Sequence, residues 1–178
     1  MTFDIVVAAD RAWGIGKDNA LPWPKLRADL KHFKTVTSTA SEGHRNAIVM
    51  GRKTWQSQEV GERPLPRRLN VIVSRTVELP KTDNVISARS LDDALAAASE
   101  TADIENMFVV GGAGLLVAAL DHPGLRYVYL TRIDGQFDCD VTIPDLDARG
   151  FVKTAWDGEV SAEDNGVAFR IERLARAA

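Results

Sequence analysis

Cysteine is almost absent from the sequence. The only one among 178 residues is Cys139, so no internal disulfide can form and no cysteine-based zinc motif is present. This cysteine usage favours a reducing compartment, and we expect a cytoplasmic protein without a metal site.

Long apolar runs are absent as well. No run reaches the ~18 residues that a membrane-spanning helix needs. The first residues, MTFDIVVAADR, place an acid inside a short apolar stretch and contain no basic leader. We therefore expect neither a signal peptide nor a membrane segment.

The chain also has no excess of positive charge. Lysine and arginine number 22 against 25 aspartates and glutamates, which gives a net charge of −3 and argues against a general nucleic-acid binder. Repeats and low-complexity linkers are absent, and 45% of the residues are hydrophobic, as in a packed protein. We expect one domain over residues 1–178, and a monomer because no extra apolar face is obvious.

Five short runs rich in valine and isoleucine predict buried strands. They do not alternate with polar residues, which is typical of a parallel sheet covered on both faces. The runs are Ile5–Ala9, Ala47–Met50, Asn70–Ser74, Met107–Val110 and Tyr127–Thr131.

Helical patterns lie between these runs. Lys25–Lys34 follows Pro24, a favoured first helical residue, and Leu91–Ser99 follows Ser90, a good N-cap. A third, apolar helix is predicted over Gly114–Leu120.

The last third of the chain changes pattern. Phe151–Trp156 and Val167–Leu174 partly alternate, and Asn165-Gly166 lies between them as a turn signal, which predicts an antiparallel hairpin. The predicted fold class is therefore α/β, a single-domain mixed and mostly parallel twisted sheet flanked by helices, with a C-terminal antiparallel hairpin.

Glycines follow one predicted strand in FVVGGAGLL, residues 108–116. Glycine allows close approach of a ligand, and the N–H groups that open the next helix attract anions, although a tight turn explains the pair equally well. Val117 replaces the last glycine of a GxGxxG pattern. Arg132 stands where NAD-selective folds place an acid, which disfavours an ordinary Rossmann dehydrogenase.

Basic residues follow two more strands, in IVMGRKTW (48–55) and VIVSRT (71–76). Each segment alone fits a solvated loop. Together, however, the strand ends of an open α/β sheet converge on one edge, where ligands bind. Arg52, Lys53 and Arg75 there suit a pyrophosphate plus an extra phosphate, and therefore NADP rather than NAD.

One acid lies on the apolar face of a predicted helix. Leu26, Leu30 and Phe33 share that face, and the spacing of Asp29 places it in the same stripe. An acid at the edge of the stripe could reach water. The alternative is a carboxylate at the bottom of a pocket, with a pKa raised by burial. The three histidines form no pattern and are interpreted as surface residues.

Several ordered segments make the sequence similar to the dihydrofolate reductases across nearly the whole chain. The most specific is GIGKDNALPWPKLRADLKHF, residues 14–33, which resembles the flexible loop and acid-bearing helix of that family. The other matching segments are IVMGRKTW, RPLPRRLNVIVSR, VVGGAG and YLTRID.

The resemblance implies NADPH as the cofactor and roles for individual residues in reducing dihydrofolate, with antifolates as inhibitors. Asp29 resembles the acid that binds the pterin and promotes protonation of N5, and Thr131 its hydroxyl partner. Trp23 would order a water, and Leu21 would lie on the loop that closes over the nicotinamide. The residues implied to contact the substrate, besides Asp29 and Thr131, are Val6, Val7, Ala8, Leu30, Phe33, Leu65 and Arg68, the last gripping the α-carboxylate of the glutamate tail.

The resemblance implies a longer set of residues for NADPH. Arg52, Lys53 and Arg75 would lie near its phosphates, and Asp140 resembles an acid that pins the flexible loop. The full cofactor set is Ala8, Ile15, Gly16, Gly51, Arg52, Lys53, Thr54, Ser74, Arg75, Val110, Gly111, Gly112, Ala113, Gly114 and Leu115.

This sequence departs from the family pattern at four positions. Ala113 replaces a third glycine, Leu116 stands where a tyrosine often flanks the cofactor, and Gln58 replaces an apolar residue at the substrate entrance. Trp13 adds bulk beside the flexible loop. These departures bear on affinity and inhibitor selectivity rather than on the reaction.

Three alternatives stay open at this point. A pyrimidine reductase of riboflavin synthesis has a related fold, but the LPW…AD helix and Arg68 favour folate. A folate- or nucleotide-binding module with a dead site would not need Asp29. A structural or interaction protein would use the glycines and bases for turns and solvation only.

Overall fold

A computed structural model describes residues 1–178 as an α/β structure. In chain order the elements are β1 Phe3–Ala9, β2 Gly14–Gly16, α1 Arg27–Ser38, β3 Arg45–Gly51, α2 Arg52–Trp55, β4 Arg68–Val73, β5 Val85–Ala88, α3 Leu91–Ser99, β6 Ile104–Gly111, α4 Ala113–Asp121, β7 Leu125–Ile133, β8 Val141–Thr142, β9 Phe151–Lys153, β10 Val160–Asp164 and β11 Val167–Arg176. None of the helices combines the length and the apolar character that a membrane crossing requires.

Most strands belong to one sheet, in the order β10-β11-β7-β1-β6-β3-β4-β5, with β9 also paired to β11. Strand β1 pairs in parallel with β6 and β7, and β3, β4, β5 and β6 are likewise parallel to their neighbours. Strand β11 runs antiparallel to β7, β9 and β10. The mostly parallel sheet with an antiparallel edge confirms the predicted fold class.

Apolar side chains cover both faces of this sheet. On one face Ile5 of β1 belongs to the largest buried cluster, together with Leu95 of α3 and Leu120 of α4. On the other face Leu26, which precedes α1, packs in a second cluster with Trp23. Burial on both faces explains why the central strands read as continuous apolar runs.

The structure moves the boundaries of α1. The helix begins at Arg27 rather than Lys25, so Pro24 is not its first residue, and it continues to Ser38 rather than ending at Lys34. No local side chain caps it. Instead the Arg27 N–H donates to the Asp164 carboxylate at 2.7 Å, from the distant strand β10. By contrast, α3 matches its prediction, with Ser90 Oγ accepting from the Asp93 N–H.

The C-terminal hairpin has the predicted turn but a different first strand. Asn165 and Gly166 both have positive φ, as a two-residue hairpin turn requires. The turn joins β10 to β11, with Asp164 opposite Val167. Phe151–Trp156 was wrong as the hairpin partner, because only Phe151–Lys153 is a strand there and it pairs with the far end of β11.

Candidate active site

The carboxyl ends of the parallel strands meet at one edge of the sheet. Ala8, near the end of β1, lies beside Thr131 of β7 in register. Helix α1 packs on the sheet face that carries the Thr131 side chain. There Thr131 Oγ1 donates a hydrogen bond to Asp29 Oδ1 at 2.6 Å. The structure thus joins two residues that are 102 positions apart and that the sequence analysis assigned to one site.

The environment of Asp29 changes its acidity. The residue is only 9% exposed, and burial raises the pKa of its carboxyl, opposed by the hydrogen bond from Thr131. No other protein group donates to this carboxylate. Asp29 therefore keeps hydrogen-bonding capacity for a ligand. We call the region between α1 and the carboxyl ends of β1 and β7 the Asp29 cleft.

Apolar side chains surround this acid to different degrees. Trp23 and Val6 are buried, whereas Leu21 is 38% exposed and Leu30 is 40% exposed. Large exposed leucines beside a buried acid are typical of the wall of a binding cleft. Val7 lies on the opposite face of β1, packed against the largest cluster, so its side chain does not face Asp29.

Two further predicted substrate contacts lie on the same side of the sheet. Phe33 of α1 and Leu65 are partly buried and pack on a third cluster, which contains Ile48 and Met50.

Arg68 is a buried cation without a carboxylate partner. It is 3% exposed, its Nε donates to Pro66 O at 3.0 Å, and its Nη1 donates to Thr37 Oγ1 at 2.8 Å. Thr37 Oγ1 in turn donates to Phe33 O at 2.7 Å. Burial lowers the pKa of Arg68, but a guanidinium stays charged at neutral pH. A buried guanidinium with free N–H groups is suited to binding a carboxylate.

Buried amides hold the chain around this arginine. Asn70 Oδ1 accepts from the Leu65 N–H, and Asn70 Nδ2 donates to the carbonyls of Leu65 and Arg68. The sequence analysis did not identify Asn70 or Thr37, because their partners are known only once the loop and the helix are placed.

Glycines bring two other strand ends into contact. A Cβ on Gly111, at the end of β6, would lie 2.8 Å from Thr54 Oγ1 of α2, and one on Gly51 would lie 3.4 Å from Gly112 N. Only glycine at position 111 permits this approach. Gly112 caps α4 without a side-chain hydrogen bond, so the first N–H groups of that helix can bind an anion.

Unpaired cations mark the same edge. Ser74 and Arg75 line a cavity of about 440 Å³ together with Arg89, which follows β5 and which the sequence analysis missed. Strand β5, which Arg89 follows, was not among the predicted strands, so the strand-end argument did not reach this residue. None of Arg52, Lys53, Arg75 and Arg89 forms an ion pair, whereas elsewhere arginines pair with acids, as Arg126 does with Asp4.

Three other residues of the predicted cofactor set pack against the apolar clusters. Val110 and Leu115 are partly buried against the apolar clusters, and Ile15 packs on the largest one. Of the four departures, Leu116 is only 1% exposed inside the core, so it does not flank a ligand. Ala113 is the first residue of α4, Gln58 is exposed, and Trp13 has φ 61° and lies 5.6 Å from the Arg132 guanidinium.

The interpretation of all three histidines as surface residues was wrong. His44 is exposed, but His122 is mostly covered and bonds Asp92 and the Gly124 N–H. His32 packs edge-on against Trp156, its Nε2 is buried without a partner, and burial lowers its pKa to about 4.

A cavity of about 570 Å³ lies elsewhere, beside Trp13 and the start of β11. Its charged groups already have partners, since Arg11 pairs with Asp134 and Arg132 with Asp147. Size alone therefore does not locate the site, and we assign the site to the Asp29 cleft.

The chain is similar to known proteins over nearly its whole length. The dihydrofolate reductase family model matches residues 2–176. A rat dihydrofolate reductase is 35% identical over 174 residues, covering 94% of this chain and 93% of the rat protein. A chicken dihydrofolate reductase is 37% identical, with 94% and 92% covered.

Plant relatives are longer. A bifunctional dihydrofolate reductase-thymidylate synthase of Arabidopsis thaliana is 42% identical over 174 residues, which are 94% of this chain but 33% of the relative. The chain spans about a third of the length of such bifunctional proteins. The family match, these relatives and the joined Asp29–Thr131 pair agree, and the chain belongs to the dihydrofolate reductase family.

Proposed function

We propose that this chain reduces 7,8-dihydrofolate to 5,6,7,8-tetrahydrofolate with NADPH, supplying one-carbon metabolism. The observation that carries the proposal is a buried carboxylate, Asp29, held by Thr131 in a cleft whose rim bears a buried unpaired guanidinium, Arg68. Four further cations without carboxylate partners lie at the neighbouring strand ends.

NADPH, when bound, supplies a hydride to C6 of the substrate, and N5 gains a proton. The protein orients the substrate and stabilises charge. The free capacity of the Asp29 carboxylate accepts hydrogen bonds from the pterin, while Thr131 fixes its other oxygen. Burial raises the pKa of the Asp29 carboxyl above its ordinary value. A solvent molecule ordered near Trp23 delivers the proton to N5.

Residues on either side of Asp29 bind the substrate and the cofactor. Arg68 binds the α-carboxylate of the glutamate tail, and Leu30 and Phe33 pack on the pterin and benzoyl portions. Holding both partners in a reactive geometry can contribute roughly 7–11 kcal/mol to lowering a barrier. The cofactor set of glycines and cations binds NADPH, with Arg75 and Arg89 at its extra phosphate.

The same cleft defines the partners that we propose. These are the small-molecule substrate and antifolate inhibitors, which share the pterin-like contact with Asp29. We propose a cytoplasmic monomer that works without nucleic acid or membrane, since the net charge is −3 and one cysteine is present.

A spectroscopic assay tests the proposal directly. Purified protein is mixed with dihydrofolate and either NADPH or NADH, and consumption of the reduced nicotinamide is followed. We expect turnover with dihydrofolate and a clear preference for NADPH. The pyrimidine substrate of riboflavin synthesis serves as the comparison, and turnover with that substrate alone, or with neither, would contradict the proposed function.

A further inference from the structure

A short loop projects over the cleft between β2 and α1. Within it, Lys17 and Ala20 exchange backbone hydrogen bonds of 3.0 Å in both directions. Asp18 and Asn19 between them have φ 50° and 56°, which makes a tight two-residue turn. We call residues 17–22 the cleft loop. The tip of the loop is therefore closed by its own backbone hydrogen bonds.

One side of the cleft loop is tied to the segment before β8. The Asp18 N–H donates to Asp140 Oδ2 at 3.0 Å, and Lys17 Nζ lies 3.2 Å from Asp138 Oδ2. The Asp140 N–H donates back to Gly16 O at 3.0 Å. This attachment was expected from the resemblance and lies on the β7–β8 side of the cleft.

The opposite side of the cleft loop has a second attachment that no family pattern suggested. The Leu21 N–H donates to Glu59 Oε1 at 2.7 Å, and the Gln58 N–H donates to Asn19 O at 3.4 Å. Glu59 follows α2, the helix whose start carries Arg52 and Lys53, so it lies on the other side of the cleft. The cleft loop therefore spans the opening and is bonded at both sides.

The bond to Glu59 is the stronger part of this second attachment. Its acceptor is a carboxylate, and hydrogen bonds to a charged acceptor are stronger than hydrogen bonds between neutral groups. Glu59 forms no ion pair, so its carboxylate is not committed to another group. Pro22, which follows Leu21, has no backbone N–H, and the next residue, Trp23, is buried. The Leu21 N–H is therefore the last backbone donor of the loop before the chain enters the core.

We propose that Glu59 is a positioning residue that holds the cleft loop closed over the bound nicotinamide and pterin. Closure over a reacting pair excludes water and fixes its geometry, whereas opening is needed for release. Both steps then depend on making and breaking the Glu59–Leu21 bond. The catalytic part of this inference rests on the proposed function, but the attachment itself does not.

Amide hydrogen exchange in the ligand-free protein tests the attachment without any turnover. Three variants are compared: Glu59→Ala removes the acceptor, Glu59→Gln keeps a carbonyl oxygen, and Glu62→Ala removes a nearby exposed acid that does not contact the loop. We expect exchange of the Leu21 N–H to accelerate about two- to tenfold in Glu59→Ala, the range of one net hydrogen bond. Glu62→Ala should stay near the parent, and Glu59→Gln, which keeps only a neutral acceptor, should fall between the parent and Glu59→Ala. Equal exchange in all four proteins would overturn the proposal.

Single-turnover kinetics then test the effect on the reaction. Hydride transfer from bound NADPH should slow by about two- to tenfold in Glu59→Ala and recover in Glu59→Gln, while the equilibrium Kd of NADPH changes less. An unchanged rate in Glu59→Ala would overturn the positioning role. If the parent protein itself transfers no hydride but the exchange result holds, the proposed function fails and the attachment stands.

Discussion

A carboxylate such as Asp29 loses hydration when it is buried, and that loss is unfavourable unless partners replace the water. Here one hydroxyl, from Thr131, replaces part of it. Arg68 is in a similar position, since Thr37 Oγ1 and Pro66 O satisfy only part of its guanidinium. Side chains kept in this state are candidates for ligand contacts, because a ligand completes the missing hydrogen bonds.

Replacing Thr37 by valine tests how Arg68 is held. Thr37 is fully buried, and valine has nearly the same shape but cannot accept from Arg68 Nη1. We expect the KM for dihydrofolate to rise roughly 5- to 100-fold, the range for one unsatisfied charged hydrogen bond. The KM for NADPH should change little. Steady-state kinetics with dihydrofolate and with a dihydropterin that lacks the glutamate tail provide the measurement.

The tail-free substrate separates positioning from general damage to the fold. In Thr37→Val its KM and kcat should match those of the parent, and Thr37→Ser should restore dihydrofolate binding. An equal rise in KM for both substrates would mean that Thr37 supports the fold rather than the orientation of Arg68.

A second residue-scale prediction concerns Arg75 and Arg89, the arginines proposed to bind the extra phosphate of NADPH. Arg75→Ala and Arg89→Ala should each weaken NADPH by about 10- to 100-fold, because each removes charge-assisted hydrogen bonds, and should weaken NADH far less. Quenching of tryptophan fluorescence gives both Kd values. Lys81→Ala removes an exposed cation outside the cavity and serves as the control. Equal weakening of NADPH and NADH would count against recognition of the extra phosphate.

Secondary-structure elements were predictable where their signals are local. Helix α3 matched its predicted range because Ser90 caps it through Asp93, three residues on. The start of α1 was misplaced because its cap is Asp164, 137 residues away, and Asn165 Nδ2 also donates to Lys25 O. Strand β10 was missed because Val160–Asp164 is an exposed, acidic edge strand without an apolar run.

The packing of α1 also predicts a response to acid. His32 is held against Trp156 and Tyr129, with Nε2 unpartnered, and burial lowers its pKa to about 4 from an ordinary value of 6.5. The unfolded chain therefore binds a proton at a higher pH than the folded protein does. The stability that this site contributes is full above pH 6.5 and is lost as the pH falls towards 4.

Urea unfolding at neutral pH and at mildly acidic pH measures this effect. His32→Phe should lose less stability on acidification than the parent, because phenylalanine does not titrate. His44→Gln, at an exposed histidine, should follow the parent. If His32→Phe loses as much stability as the parent, the acid response arises elsewhere. The raised pKa of Asp29 has the opposite effect on stability, because it favours the folded protein in acid. This effect is common to all variants, so the comparison between them isolates His32.

At the scale of the whole molecule, the sheet order places the chemistry. Because β1, β3, β4 and β6 are parallel neighbours, the residues that follow them share one edge, and this convergence could be argued from the sequence. Thr37, Asn70 and Glu59 could not be found in that way, because each acts through a partner fixed only by the tertiary structure. Arg89 would have followed from the same strand-end argument only if the short strand β5 had been predicted.

Charge is distributed unevenly over the molecule. The net charge is −3, yet Arg52, Lys53, Arg75 and Arg89 form no ion pair, while Arg132 and Arg126 are paired with acids. These unpaired cations are available to an anionic ligand despite the acidic total.

The central claim is that Asp29, in this cleft, controls protonation of the substrate during hydride transfer. The most direct test is the pH profile of the single-turnover hydride-transfer rate, measured for the parent and for Asp29→Asn. We predict a loss of roughly 10²- to 10⁴-fold at neutral pH, the usual contribution of a positioned acid or base. The loss should shrink in acid, where the substrate arrives already protonated, and equal rates for both proteins across the pH range would contradict the account.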